Sequence, residues 1–382
     1  MKPNLVAKGA SRYVSGEVER FDQKNEMFCR SRWDPSHSEL RKKLWTPEDP
    51  REDTAGYGLK DYALEDSVWY LPIEFTGGNH AGNKGLYSWN TKAWGVYGKP
   101  KGGLLPVDDP VRMSKTIKQI AKLLGASLVG ITKLDRHWLY SNQWDLHNGE
   151  YTPIEIPEEY KYAIVLGYEM NYEIMRMSPA RTHGFAVGMG YTKMAVVGPA
   201  LAQFIRLIGY RAIPMGNDTA NSIPLAIDAG LGELGRLGLL ITPQYGPRVR
   251  LSKLFTSLPL VPDKPIEFGA WDFCMQCNKC ARHCPAQAIS YREPTDQPNN
   301  VSNRAGIQRW PLNAEKCLGW FAQIGGDCSN CIRVCPFNKP PGILHDAVRS
   351  GVNYARFLNP LFVKADDLLG YGRRVEAAYF WN

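Results

Sequence analysis

Apolar residues recur along the chain in changing rhythms, and the changes mark its organisation. Residues 1–110 hold neither a helical nor a strand period and are rich in Trp, Tyr, Gly and Pro. Lack of a period predicts an irregular wrapping unit with a few short helices. Its Trp33, Trp45, Trp69, Trp89 and Trp94 either pack ordinarily or line an apolar cavity. From Ser114 onward Ile117, Ile120, Ala121 and Leu124 fall at helical spacing, with Ser114 as N-cap and Gly125 as stop. Segments 127–132 and 162–167 read as strands. A long helix over 191–208 follows, kinked or broken by Pro199 and closed by Gly209. Strands at 211–214, 238–242 and 248–255 and a short helix at 223–231 complete a layered α/β core over about 114–260.

Composition narrows the class. The chain has 382 residues, 44% apolar and 22% charged, so a large core forms and global disorder is excluded. No stretch approaches ~18 uninterrupted apolar residues. The first fifteen residues lack an apolar signal core and a twin-Arg pair, so the expectation is either a cytoplasmic protein or a mature form whose export signal has been removed. Net charge is +8, but the basic residues are scattered. The densest run, Arg41, Lys42 and Lys43, sits beside Glu39, Glu48 and Asp49 and reads as a solvated face rather than a nucleic-acid patch. No G-x-G-x-x-G follows a strand, and neither a P-loop nor a G-x-S-x-G elbow occurs.

Eight of the nine cysteines lie between 274 and 335. Cys274, Cys277, Cys280 and Cys284 have C-x2-C-x2-C-x3-C-P spacing. Cys317, Cys328, Cys331 and Cys335 keep the C-x2-C-x3-C-P end with the first cysteine moved upstream. Three closely spaced thiolates wrap one cubane, and the cysteine before Pro reaches the other cluster in two-cluster domains. One [4Fe–4S] site is therefore assigned to Cys274, Cys277, Cys280 and Cys335, and a second to Cys284, Cys317, Cys328 and Cys331. A zinc ribbon needs only four ligands, and a disulfide framework suits smaller chains. Cys29 stands apart as a core thiol. The long preceding body must hold a second redox centre or a partner-binding unit.

An α/β core ahead of these motifs, with GYTKM (190–194), IPMGND (213–218), the 229–253 segment and CLGWF (317–321), resembles the corrinoid-dependent reductive dehalogenases over essentially the whole chain. The resemblance implies an α/β (α+β) fold: a nitroreductase-like corrinoid-binding core at 111–264, then a bacterial-ferredoxin-like two-cluster domain at 265–340. The aromatic-rich unit at 1–110 and a C-terminal segment at 341–382 flank them. It implies two-electron, one-proton removal of halide from an organohalide at a Co(I) corrinoid fed by the clusters. Tyr191 falls at the family's catalytic tyrosine, Arg250 at its basic partner and Asn217 at a pocket amide. Thr242, Pro243 and Gly246 are assigned to the corrinoid. Trp320, three residues past Cys317, belongs near the second cluster, as insulation or as part of the substrate pocket. A cation beside a phenol stabilises the phenolate left after proton donation. Asp145-Leu146-His147-Asn148-Gly149-Glu150 departs from the D-x-H-x-x-G pattern that supplies a lower His ligand, in keeping with a base-off corrinoid. The expected partners are a small halogenated hydrocarbon, a small membrane anchor protein and a quinol-linked electron donor, with a homodimer admitted and no nucleic acid. The expected place is the outer face of the cytoplasmic membrane, held peripherally. Two rivals remain: an epoxyqueuosine-reductase-like enzyme, which would want an acidic catalytic residue and a tRNA-binding module, and a ferredoxin-like electron-transfer subunit without catalysis.

Overall fold

The computed structural model describes residues 3–45, 49–78, 82–94, 102–146 and 148–382. At its centre lies an antiparallel sheet of β1 (Leu128–Lys133), β2 (Tyr162–Glu169), β3 (Ala212–Met215) and β4 (Val249–Thr256), in the order β1-β2-β4-β3. Register places Leu128 opposite Gly167, Tyr168 opposite Arg250 and Met215 opposite Lys253. Both faces of β2 are covered, which explains its unbroken apolar run. Ile164, Leu166 and Tyr168 face α2 (Pro110–Leu123) and α3 (Arg181–Leu207), meeting Ile117, Met194 and Leu201. Ala163 and Val165 face the other way, toward Leu225 and Ile227 of α4 (Ser222–Asp228).

Several boundaries move from expectation. The N-cap of α2 is Asp109, whose side chain accepts from the Arg112 N–H at 3.0 Å, with Pro110 as first helical residue. Ser114 lies inside that helix and bonds the Pro110 carbonyl instead. The long helix starts at Arg181, ten residues before the expected start, and runs through Pro199. Its first turns read as non-helical because they carry Gly184, Gly188 and Gly190. Those glycines are contacts. A Cβ at Gly188 would meet Val68 at 2.6 Å and Trp69 at 3.0 Å, on α1 (Leu59–Thr76). This 18-residue helix was not expected within 1–110. Its apolar residues face both ways, leaving Tyr70 and Ile73 exposed, so no single stripe betrays it. The strand expected at 238–242 shrinks to Leu240–Ile241, paired with Glu233–Leu234.

Beyond the sheet, α5 (Ala270–Gln276), α6 (Lys279–Arg282), α7 (Ala314–Ile324) and α8 (Asn330–Arg333) carry the cysteine loops. Arg236, 3% exposed, ties them to the core. Its guanidinium donates to the carbonyls of Cys274, Cys277, Ser290 and Arg292 and stacks on Trp310. At the C-terminus, α9 (Ile343–Tyr354) and α10 (Asn359–Leu368) pack over α5, and Asp366 of α10 pairs with the buried Lys279 and Lys339.

Candidate active site

Tyr191 lies midway along α3 and Arg250 near the start of β4. Gly190 allows their approach, since a Cβ there would stand 2.6 Å from Arg250 Cγ. The Arg250 guanidinium lies over the Tyr191 ring, 4.9 Å from its centroid. Trp69 covers the ring from α1 at 4.9 Å. Asn217, on the loop after β3, donates its amide N–H to Tyr191 Oη at 3.1 Å. That bond uses an acceptor lone pair of the phenol and leaves the phenolic O–H free for another partner. Arg248, two residues before Arg250 on β4, pairs with Glu169 and donates to the Met170 carbonyl. Arg250 has no ion pair among the described residues, and its buried Nε has no hydrogen-bond partner.

The sequence reading missed the residues that aim Asn217. Asp218, fully buried, accepts from the Gly216 N–H at 2.9 Å and from Thr219 Oγ1 at 2.7 Å. Lys253, on the opposite face of β4 from Arg250, donates to the Gly216 carbonyl at 2.7 Å and to Ser222 Oγ at 3.0 Å. Burial pushes the Lys253 ammonium down to about 7, partly offset by Asp218. A lysine flanked by Leu251, Leu254 and Phe255 in a strand expected to be buried was the available signal.

Two cavity lobes meet at Tyr191, Leu239 and Arg250. One, of about 550 Å³, is lined by Trp69, Trp320 and Phe321 and by Cys284, Cys317, Cys328 and Cys331. Trp320 Nε1 is buried there without a partner. The other, of about 460 Å³, reaches Asn217, Tyr140 and Ser222.

The eight cysteines separate into two sets by which thiols oppose one another's ionisation. Cys274 is affected by Cys277 and Cys335, and Cys280 by Cys274, Cys277 and Cys335. Cys331 is affected by Cys317, Cys328 and Cys284. Burial, then Cys328 and Cys284, pushes Cys317 up to about 12. Cys280 also feels Cys331, so the two sets adjoin. Among the described residues no three Cys, His or carboxylate side chains close on a single-ion position. Cys29 is wholly buried and lies outside both sets.

Thr242, Pro243 and Gly246 line neither lobe. Thr242 and Gly246 bond each other across a tight turn, and a Cβ on Gly246 would sit 2.4 Å from the Phe337 carbonyl. The turn packs the core against the last cysteine loop. His147 falls outside the described residues. Its neighbours link a small hairpin of Asn142–Trp144 and Tyr151–Pro153, and Asp145 pairs with Lys84.

A mixed sheet-and-helix core joined to two four-thiol sets, with a tyrosine and arginine between them, defines a redox enzyme of the iron–sulfur class. A family model described as a 4Fe-4S dicluster domain matches residues 273–339. A tetrachloroethene reductive dehalogenase of Sulfurospirillum multivorans is 37% identical over 84% of this chain and 70% of its own. One from Desulfitobacterium hafniense is 34% identical over 87% of this chain and 74% of its own. A solved reductive dehalogenase, described for B12-dependent dehalogenation, superposes with a TM-score of 0.74 at 25% identity. It covers 97% of this chain, which spans 49% of that longer one. The chain belongs to the reductive dehalogenases, oxidoreductases that act on carbon–halogen bonds.

Proposed function

We propose that this protein reduces a small halogenated hydrocarbon, R–X + 2e⁻ + H⁺ → R–H + X⁻, at a base-off corrinoid fed by two [4Fe–4S] clusters. The observation that carries the reading is one cavity bordered by Tyr191, Arg250 and the Cys284–Cys317–Cys328–Cys331 set. The residues present suit a corrinoid. Two joined lobes offer room on the scale of a large cofactor, and Arg250 Nε and Trp320 Nε1 face burial without protein partners. When bound, the corrinoid supplies a low-valent cobalt able to reduce a carbon–halogen bond.

This chain's residues handle the proton and the substrate. Asn217 holds Tyr191 Oη, so the phenolic proton is free to pass to the developing carbanion. Arg250 places a cation over the ring from which the proton leaves. Trp69, Trp320 and Phe321 give the cluster-side lobe an apolar wall suited to an uncharged haloalkene or haloalkane. An electron-transfer subunit has no use for such a cavity, and family likeness over most of the chain favours dehalogenation over epoxyqueuosine reduction.

The Cys274 set, which does not line the cavity, serves as the entry cluster and the Cys284 set as the exit. Beside the entry set, Ile343, Leu344, Phe357 and Leu361 expose an apolar surface on the C-terminal helices. That surface supports docking of a quinol-linked donor or a small membrane anchor protein. Peripheral attachment at the outer face of the cytoplasmic membrane, a homodimer and the four-part division at 110, 264 and 340 rest on the family resemblance.

Metal analysis of the purified protein tests the cofactor set. About eight iron and eight acid-labile sulfide accompany one cobalt per chain. Cys277→Ser loses about half the iron, Cys29→Ser loses none, and His147→Ala leaves the Co(II) spin-resonance spectrum unchanged. Four irons in the wild type, or a nitrogen-ligand signature that vanishes in His147→Ala, would overturn the assignment.

A further inference from the structure

Two arginines at the far lobe have no part in the chemistry above. Arg304 and Arg309 both line the lobe that holds Asn217 and Tyr140. Arg304 is 9% exposed, and one of its nitrogens, Nη2, donates to the His137 carbonyl at 2.6 Å. Its Nε and Nη1 are buried without a partner. The plane stacks on Trp138 at 5.1 Å, which fixes its orientation. Arg309 Nη2 donates to the Arg304 carbonyl, bringing the second cation beside the first. Among the described residues neither forms an ion pair. Asp135 acts on Arg304 at longer range, while Arg309 opposes it. Burial pushes both guanidinium groups down to about 10. Glu26 lines the same lobe, but its carboxylate caps a helix, accepting from Phe28 N–H at 3.0 Å and Cys29 N–H at 3.4 Å.

A buried and a half-buried cation side by side, with no ion pair among the described residues, are costly unless an anion enters with the ligand. A fork of unused N–H donors suits a phosphate or carboxylate oxygen pair. The single negative charge of the corrin ring is balanced at the metal it chelates, and its peripheral amides are neutral. The nucleotide tail of a complete corrinoid, however, carries a phosphodiester, and a base-off tail must be stowed away from the cobalt. We propose that Arg304 and Arg309 form the subsite for that phosphodiester, with the Tyr140–Ile307 lobe taking the tail. The assignment rests on the corrinoid reading above and goes beyond it by naming which part of the cofactor this lobe recognises. A carboxylate on the substrate is the competing source of the same chemistry.

The test compares two corrinoids on cluster-loaded, corrinoid-free protein. Aquocobalamin has the tail, while diaquocobinamide has the same ring and no tail. Spectral titration of the wild type should show cobalamin binding at least about tenfold tighter, as expected for a charge-assisted contact. Arg309→Gln and Arg304→Gln should each weaken cobalamin about tenfold and leave cobinamide unchanged, so cobinamide reports that the fold is intact. Arg309→Lys should keep part of the preference. Equal loss for both corrinoids, unchanged cobalamin affinity or a wild type without preference would overturn the subsite. A rise in KM for a halogenated carboxylate with corrinoid affinities unchanged would assign the pair to substrate instead. A wild type that binds neither corrinoid would sink the cofactor reading, and this proposal with it.

Discussion

Tyr191 is held from three sides: Asn217 at its hydroxyl, Arg250 on its ring and Trp69 beside it. Tyr191→Phe removes only the hydroxyl, so clusters and corrinoid should load normally while halide release falls ~10²–10⁴-fold. A loss of only a few-fold at full loading would mean that water or another group delivers the proton. Arg250→Lys retains the charge without the planar fork and should keep partial activity; Arg250→Leu should be far worse. The family resemblance carried by their short motifs pointed to these three residues, and the structure brings them together. Their supports were not legible. Asp218, Lys253 and Arg236 act through loop carbonyls and amides distant in sequence, and no local pattern announces such contacts.

At the scale of elements, the approach of α3 to β4 decides the site. Gly190→Ala should favour the helix by about 1 kcal/mol on propensity alone. Its methyl would nevertheless collide with the base of the Arg250 side chain, too near the backbone to swing aside. Halide release should fall at least about tenfold while the melting temperature moves by only a few degrees, about the shift such an energy produces. Undiminished turnover would show that Arg250 need not lie against Tyr191. Lys253 gives β4 a pH signature. Its folded value, about 7, lies below the ordinary 10.5, so between those values the unfolded chain binds the proton more strongly. Stability therefore rises with pH across that window, and below about 7 the folded protein carries the full desolvation cost. Any melting-temperature advantage of Lys253→Met should shrink from pH 7 to 10; a flat difference would contradict a buried, titrating lysine. β2 was readable because it is apolar on both faces, and β4 because Val249, Leu251, Leu254 and Phe255 mark it despite its charged residues. The start of α3 was hidden by glycines that serve packing, and α1 by the lack of one apolar stripe.

For the whole molecule, the crossing of the two cysteine runs matters most. Cys335 joins the first set and Cys284 the second, so the last loop of each run is stitched to the other, and the Cys284 set borders the Tyr191 cavity. The C-P spacing of the sequence assigns the cysteines to the same two sets, as in two-cluster domains. The position of the cavity was not legible, because it arises where α1, α3, β4 and α7 converge from distant parts of the chain. On the proposed reading, electrons, proton and substrate meet in this cavity. The direct test is halide release by the cofactor-loaded protein, supplied with a low-potential reductant and tetrachloroethene, with and without corrinoid. The account predicts one chloride for each carbon–chlorine bond replaced by carbon–hydrogen, two electrons consumed per event, and no turnover without the corrinoid. Loaded protein that accepts electrons at both clusters yet liberates no halide from any chloroethene or chloroalkane would contradict it.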